Sequence, residues 1–305
     1  MRKIIFLIIL TILVGCNSGE GPSISITESD IHTGTEGLSF NFGEKTPPNL
    51  VYATDIFPIS IEVKNKGAFE VKNGYLLLNI EKDILSLNSG NQKEKLNLEG
   101  KSLSNPEGDE DFFRFNAISR ELGKSTETIT TTMQATLCYK YQTEFKEGVC
   151  VDTDFYNLRE IEKACDASDE SFSSGQGGPI AVTRVESKML EDENLIKPQF
   201  IIYLSNKGNG EIINSNSVND ACSSSTIGSE ELNILDVSVN LGYETEPLIC
   251  KPDKIKLRNN IETIRCTLES GIDKSLQPYT TVLNIKLDYG YIDTKSKSVQ
   301  IRSNI

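Results

Sequence analysis

Tryptophan is absent from the 305 residues, histidine occurs once and methionine three times. A lone His32 excludes a His-rich metal centre and leaves little scope for a Ser/His/Asp relay. Basic side chains are also scarce, 31 against 44 acidic ones for a net charge of -13. That balance repels a phosphate backbone, so nucleic acid is excluded as a partner, as is a polybasic membrane clamp. No C-x-x-C occurs among the seven cysteines, which removes zinc-ribbon and thioredoxin-like readings. No motif calls for a metal or a cofactor. Helical periodicity is nearly missing, and the one long apolar run sits at the N-terminus.

That run begins after Arg2 and Lys3, extends from Ile4 to Val14 and ends at Gly15 and Cys16. A charged start followed by a short apolar stretch is the pattern of a signal peptide over residues 1–15. In helix, eleven residues would span only ~16 Å, about half a bilayer core, so a permanent membrane span is the weaker reading. The Leu13-Val14-Gly15-Cys16 run resembles the lipobox of prokaryotic lipoproteins. The resemblance implies lipidation of Cys16, export, and attachment to the cell membrane on its extracellular face. Residues 16–36, rich in Ser, Gly, Glu and Thr and containing His32, are expected to form a flexible tether.

The strongest internal signal is a repeat. Ile59 to Gly67 matches Phe200 to Gly208 at an offset of 141, with the alternate apolar positions in step and Asn-Lys-Gly identical. Leu76, Leu78 and Ile80 match Val237, Val239 and Leu241 at 161, so about twenty residues enter the second copy around 214–229. Phe113-Arg114-Phe115 matches Ile264-Arg265-Cys266 at 151. Met133, Ala135, Leu137, Tyr139 and Tyr141 match Leu283, Ile285, Leu287, Tyr289 and Tyr291 at 150, as do Val149 and Val151 with Val299 and Ile301. Period-two alternation broken by turn residues specifies half-buried strands. The fold expected is all-β: two tandem immunoglobulin-like antiparallel sandwiches, residues 37–158 and 159–305.

Six cysteines remain after Cys16, and in an exported chain they are expected in disulfides. If the last two strands of each copy form a hairpin, Cys138 and Cys150 lie on its outer face and pair. Spacing pairs Cys250 with Cys266. Elimination then pairs Cys165 with Cys222, pinning the insertion to the interdomain segment, with Gly175 to Pro179 as a domain-entry linker.

The Phe57 to Gly67 strand resembles the adhesion-type immunoglobulin-like modules of bacterial and archaeal surface proteins. The Cys138 to Thr143 run, the Gly175 to Pro179 run and Tyr289-Gly290-Tyr291 resemble uncharacterised exported archaeal proteins over most of residues 37–305. These motifs are structural and imply no site residue.

Other candidates have plainer readings. Asp109-Glu110-Asp111 and Asp152-Thr153-Asp154 offer oxygens to Ca²⁺ but match no EF-hand loop, so solvated acidic loops are expected. Tyr139, Tyr141, Tyr289 and Tyr291 could stack sugars, yet share the parity of core residues and are expected to pack with hydroxyls near a sheet end. The role expected is non-catalytic: a lipid-anchored surface protein acting in adhesion or as a structural part of an envelope assembly, with a protein or surface partner contacted through residues 214–229 of the membrane-distal second copy. The alternative is a ligand-binding or envelope-maintenance lipoprotein using the Cys165/Cys222 insertion as its binding loop.

Overall fold

The computed structural model describes residues 27–123, 125–223, 227–242 and 246–304. The signal peptide, Cys16 and the start of the tether lie outside the described residues. The first half supplies strands β1 (Leu38–Phe42), β2 (Leu50–Tyr52), β3 (Ile56–Asn65), β4 (Val71–Asn79), β5 (Leu85–Ser89), β6 (Lys93–Leu98), β7 (Glu110–Ser119) and β8 (Thr128–Val151). The second supplies β9 (Glu170–Ser171), β10 (Ile180–Asp192), β11 (Leu195–Asn206), β12 (Glu211–Ile213), β13 (Ile234–Leu241), β14 (Ile249–Lys251), β15 (Ile255–Lys256), β16 (Ile261–Thr267), β17 (Ile272–Asp273) and β18 (Tyr279–Arg302). The chain is all-β and antiparallel apart from β2, which runs parallel to the end of β18.

Each half closes with one 24-residue strand where the sequence suggested a hairpin. Odd-numbered residues of β8 are buried nearly throughout, from Thr131 to Val151, with only Glu147 exposed among them. Period two therefore runs through the expected turn, since Thr143 and Phe145 continue the inward row between Tyr141 and Val149. What pairs with β8 is β18, all 24 residues in register. At ~3.3 Å per residue these strands are about 80 Å long.

The register has a symmetry that the repeat dictates. Residues 150 apart are equivalent by sequence, and Tyr139 pairs with Tyr291 while Tyr141 pairs with Tyr289. Exchanging the two copies thus maps the ladder onto itself, and a pseudo-twofold axis passes through the Lys140–Gly290 pair. The flanking strands obey the same axis: Leu76 lies opposite Leu137 and Val237 opposite Leu287. Likewise Ile59 lies opposite Phe115 and Phe200 opposite Cys266.

The halves consequently share one eight-stranded sheet, in the order β15-β13-β18-β8-β4-β6 with β12 and β2 added along β18. A four-stranded sheet (β1-β3-β7-β5) belongs to the first half, and a six-stranded sheet (β14-β16-β11-β10-β9, with β17 on β11) to the second. Leu76, Leu137, Ile59 and Phe115 join Val239, Leu287, Phe200 and Ile264 in one continuous apolar cluster.

Two connecting segments are more ordered than their composition suggested. Residues 27–36 of the expected tether carry a short helix, α1 (Glu28–Ile31), with Ile31 buried. Its exit is tied down by Gly34 N–H donating to Ser174 O and Gly34 O accepting from Gly177 N–H. The Gly175 to Pro179 run is fully buried, where a linker would be exposed. Gly177 sits at φ +71°, and a Cβ there would lie 2.7 Å from that of Ala68, so this thread passes between the halves where only glycine fits.

Candidate functional site

Around the pseudo-twofold axis four buried tyrosines form a ring of edge and tilted contacts, centroids 5.7–6.4 Å apart. The hydroxyls of Tyr141 and Tyr291 meet the strand-to-turn junctions that carry the repeated Asn-Lys-Gly. Tyr141 Oη accepts from Phe69 N–H at 3.3 Å and lies 3.4 Å from Asn65 Oδ1. Its counterpart Tyr291 Oη accepts from Gly210 N–H at 2.8 Å and lies 3.2 Å from Asn206 Oδ1. Tyr139 accepts from Leu38 N–H and Tyr289 from Ile180 N–H.

Burial holds the phenols of Tyr139, Tyr141 and Tyr289 well above their ordinary range. Tyr291 is pushed up to about 12 by burial, against the opposing hydrogen bond from Gly210 N–H. Packing, not sugar stacking, is therefore their place, and it lies at mid-sheet, not at a sheet end.

This cluster also gives Asn-Lys-Gly a different reason from the positive φ that turns often need, since Asn65, Gly67, Asn206 and Gly208 all lie outside that region. Asn65 Nδ2 donates to Phe69 O and Asn206 Nδ2 to Gly210 O, closing each turn at 2.8 and 2.9 Å. A Cβ on Gly67 or Gly208 would fall on the hydroxyl of Tyr141 or Tyr291.

The disulfides are Cys138–Cys222, Cys150–Cys165 and Cys250–Cys266. The last is the expected pair, directly opposed on β14 and β16. Cys138–Cys150 and Cys165–Cys222 are corrected, because without a hairpin Cys138 and Cys150 lie twelve residues apart along one strand. Cys138 does face away from the main core, as its parity required. What covers it is the insertion from the other half, where a short 3₁₀ turn leads into α2 (Val218–Ala221).

Ile213, Val218 and Cys222 bury against Cys138, with Tyr75, Leu77 and Ile292 packed around them as a second small core. Lys93 Nζ sits 4.0 Å above the Tyr75 ring and donates to Asn219 O and Oδ1. The described part of residues 214–229 is thus a cover over the outer face of the shared sheet. Its signal was in the sequence: outward-facing Tyr75 and Leu77 correspond to Asp236 and Ser238 in the uncovered copy, and Cys138 to Asp288.

At the end of β8 the Asp152-Thr153-Asp154 run is buried, where a solvated loop was expected. Asp152 pairs with Lys163 at 2.9 Å, their side chains 2% and 10% exposed. Burial opposes the charge on Lys163, but the hydrogen bond and charge of Asp152, with help from Asp166, raise its pKa. Asp154 accepts from the backbone N–H groups of Leu158 and Arg159. A lysine and backbone donors thus occupy the oxygens proposed for Ca²⁺. The other acidic run is open, and its Asp109 and Asp111 accept from Glu99 N–H and Phe112 N–H.

Along the opposite flank, Glu28 and His32 face Glu144, Phe145 and Glu147 of β8 and Phe172 across a cleft of about 400 Å³. Phe145 and Phe172 stack edge to face, centroids 4.8 Å apart. Beyond Cys138, no described strand pairs with β8 on the side away from β18. No helix among the described residues is long and apolar enough to cross a membrane.

No family model matches the chain, and no curated protein matches its sequence. Solved structures with some likeness include the serine-rich repeat adhesion glycoprotein Srr1 of Streptococcus agalactiae, at 8% identity and TM-score 0.18 over 86% of this chain and 91% of that one. A DUF4466 family protein of Parabacteroides merdae aligns at 8% and 0.17 over 83% and 99%. The CupB6 tip adhesin of Pseudomonas aeruginosa aligns at 9% and 0.20 over 88% and 99%. Scores this low leave the role to be argued from the chain's own chemistry.

Proposed function

We propose that the chain is an exported, lipid-anchored surface protein that works by association, in adhesion or as a structural part of an envelope assembly, without turnover. The lipobox-like Leu13 to Cys16 run supports the anchor, and six disulfide-bonded cysteines support export. The observation that carries association is the stretch of β8 after Cys138 that no described strand pairs on the side away from β18, exposed at Lys146 to Gly148, where an extended partner segment can add. The alternative binding loop loses its basis with the Cys165–Cys222 bond.

Crosslinking in intact cells followed by affinity capture tests this. A protein or surface-polymer partner should be captured by the wild type and lost when charge crowds the exposed part of the β8 edge, as in Gly148→Lys, provided a thermal melt shows the variant folded. Recovery of the folded, membrane-bound wild type alone at every crosslinker dose overturns the reading.

A further inference from the structure

The loop after β8 is built to hold apolar side chains out in water. Tyr156 is 59% exposed, Leu158 77% and the neighbouring Leu276 50%. Cys150–Cys165 closes the loop, the Asp152–Lys163 pair stiffens its base, and Asp154 caps Leu158 and Arg159. Arg159 and Thr153 both donate to Leu276 O, joining the two apolar points into one tip. A loop this firmly tied does not expose a leucine for want of order.

The position of the anchor says what this tip meets. The described chain starts at Thr27, beside α1, and Glu28 shares a cleft with Glu144 to Glu147 of β8. Ten residues lie between Cys16 and Thr27, making eleven Cα-to-Cα steps. Fully extended they reach at most ~40 Å. From Glu144 the tip end of β8 at Val151 is ~23 Å away, and the opposite end at Thr128 is ~53 Å away. The opposite end also exposes apolar groups, Tyr52 and Ile56, but it lies beyond the anchor's reach.

We propose that the Tyr156–Leu158–Leu276 tip rests in the interfacial layer of the bilayer that holds the lipid anchor, standing the 80 Å sheet upright with its other end outward. This rests on the proposed lipidation of Cys16, and it reverses the expectation that the second half is membrane-distal. A tyrosine beside two leucines is suited to that layer, where the ring bridges acyl chains and headgroups.

The absence of tryptophan makes the test clean, because one introduced tryptophan is the only emitter of its kind. Full-length acylated Leu158→Trp and Tyr52→Trp are purified and reconstituted in phosphatidylcholine vesicles, with and without shallow brominated acyl chains. The expected result is a blue shift for Trp at position 158 and loss of about half its emission to the brominated lipid, consistent with ~5–10 Å burial. Trp at position 52 should show neither. Leu276→Trp gives an independent probe should the first variant fold poorly. Flotation with the vesicles but no quenching at either tip position overturns the docking while leaving the anchor intact. Failure to float overturns both.

Discussion

The two sides of the pseudo-twofold axis differ least at its centre and most on the outer sheet face. At the centre Asn65, Gly67 and Tyr141 do in one half what Asn206, Gly208 and Tyr291 do in the other, at nearly the same distances. On the outer face, Cys138 and Ile292 are register partners sealed beneath the insertion, whereas their symmetry mates, Asp288 and Gln142, remain a polar pair joined at 2.6 Å. Packing at the axis is constrained from both copies at once, so neither could drift alone. The outer face is free, and there one copy acquired a cover and an apolar surface to receive it.

The largest effect should come from charging the centre. In the native state burial keeps all four phenols protonated above their ordinary value of about 10. An unfolded chain releases those protons first, so this stabilisation is complete below about pH 10 and is lost as pH rises toward and past 12. The slope is about 1.4 kcal/mol per pH unit for each tyrosine that the fold keeps protonated, so four such groups make the alkaline loss of stability steep against the whole stability of a typical domain. Circular dichroism and the ionisation of these four of the ten tyrosines should therefore change together in one steep alkaline step. Early ionisation of the ring without loss of structure would break the comparison at its centre.

Next come the bridges. Cys138–Cys222 closes a separation of 84 residues and ties the halves together, against 15 for Cys150–Cys165. Paired Cys→Ala substitutions should cost about 4–5 and about 3 kcal/mol respectively on the chain-entropy model, read as thermal or denaturant midpoints. An equal or reversed order would mean that the cover is not held by long-range closure.

The equivalence at the axis is sharpened by Asn65→Ala and Asn206→Ala. Each strands buried partners and should cost about 1–3 kcal/mol, the two values lying close together. The smallest effects belong to the outer face: Leu77→Ala should cost about 1 kcal/mol for the contacts it loses under the cover, and Ser238→Ala should stay within about 0.5 kcal/mol.

Much of the fold was legible because period-two alternation and offsets of 141, 150 and 161 are direct consequences of which residues face inward. The break was misplaced at Gln142 to Gly148, where charged residues on the outward row resemble a turn. Local sequence cannot distinguish a hairpin from a strand whose partner lies 150 residues away, and both wrong disulfides followed from that one step. The cover was legible in principle, through the apolar Tyr75 and Leu77 where the other copy is polar. The Leu158 tip was not, since a single leucine in an acidic, cysteine-bounded segment has no sequence signature until Asp152, Asp154 and Lys163 are seen to brace it.

Non-reducing peptide mapping of the purified, alkylated protein tests the central claim, one sheet shared about an axis and sealed across it, most directly. The account predicts a peptide containing Cys138 linked to one containing Cys222, with Cys150 on Cys165 and Cys250 on Cys266. A Cys138–Cys150 linkage would require the hairpin and contradict the continuous β8–β18 ladder.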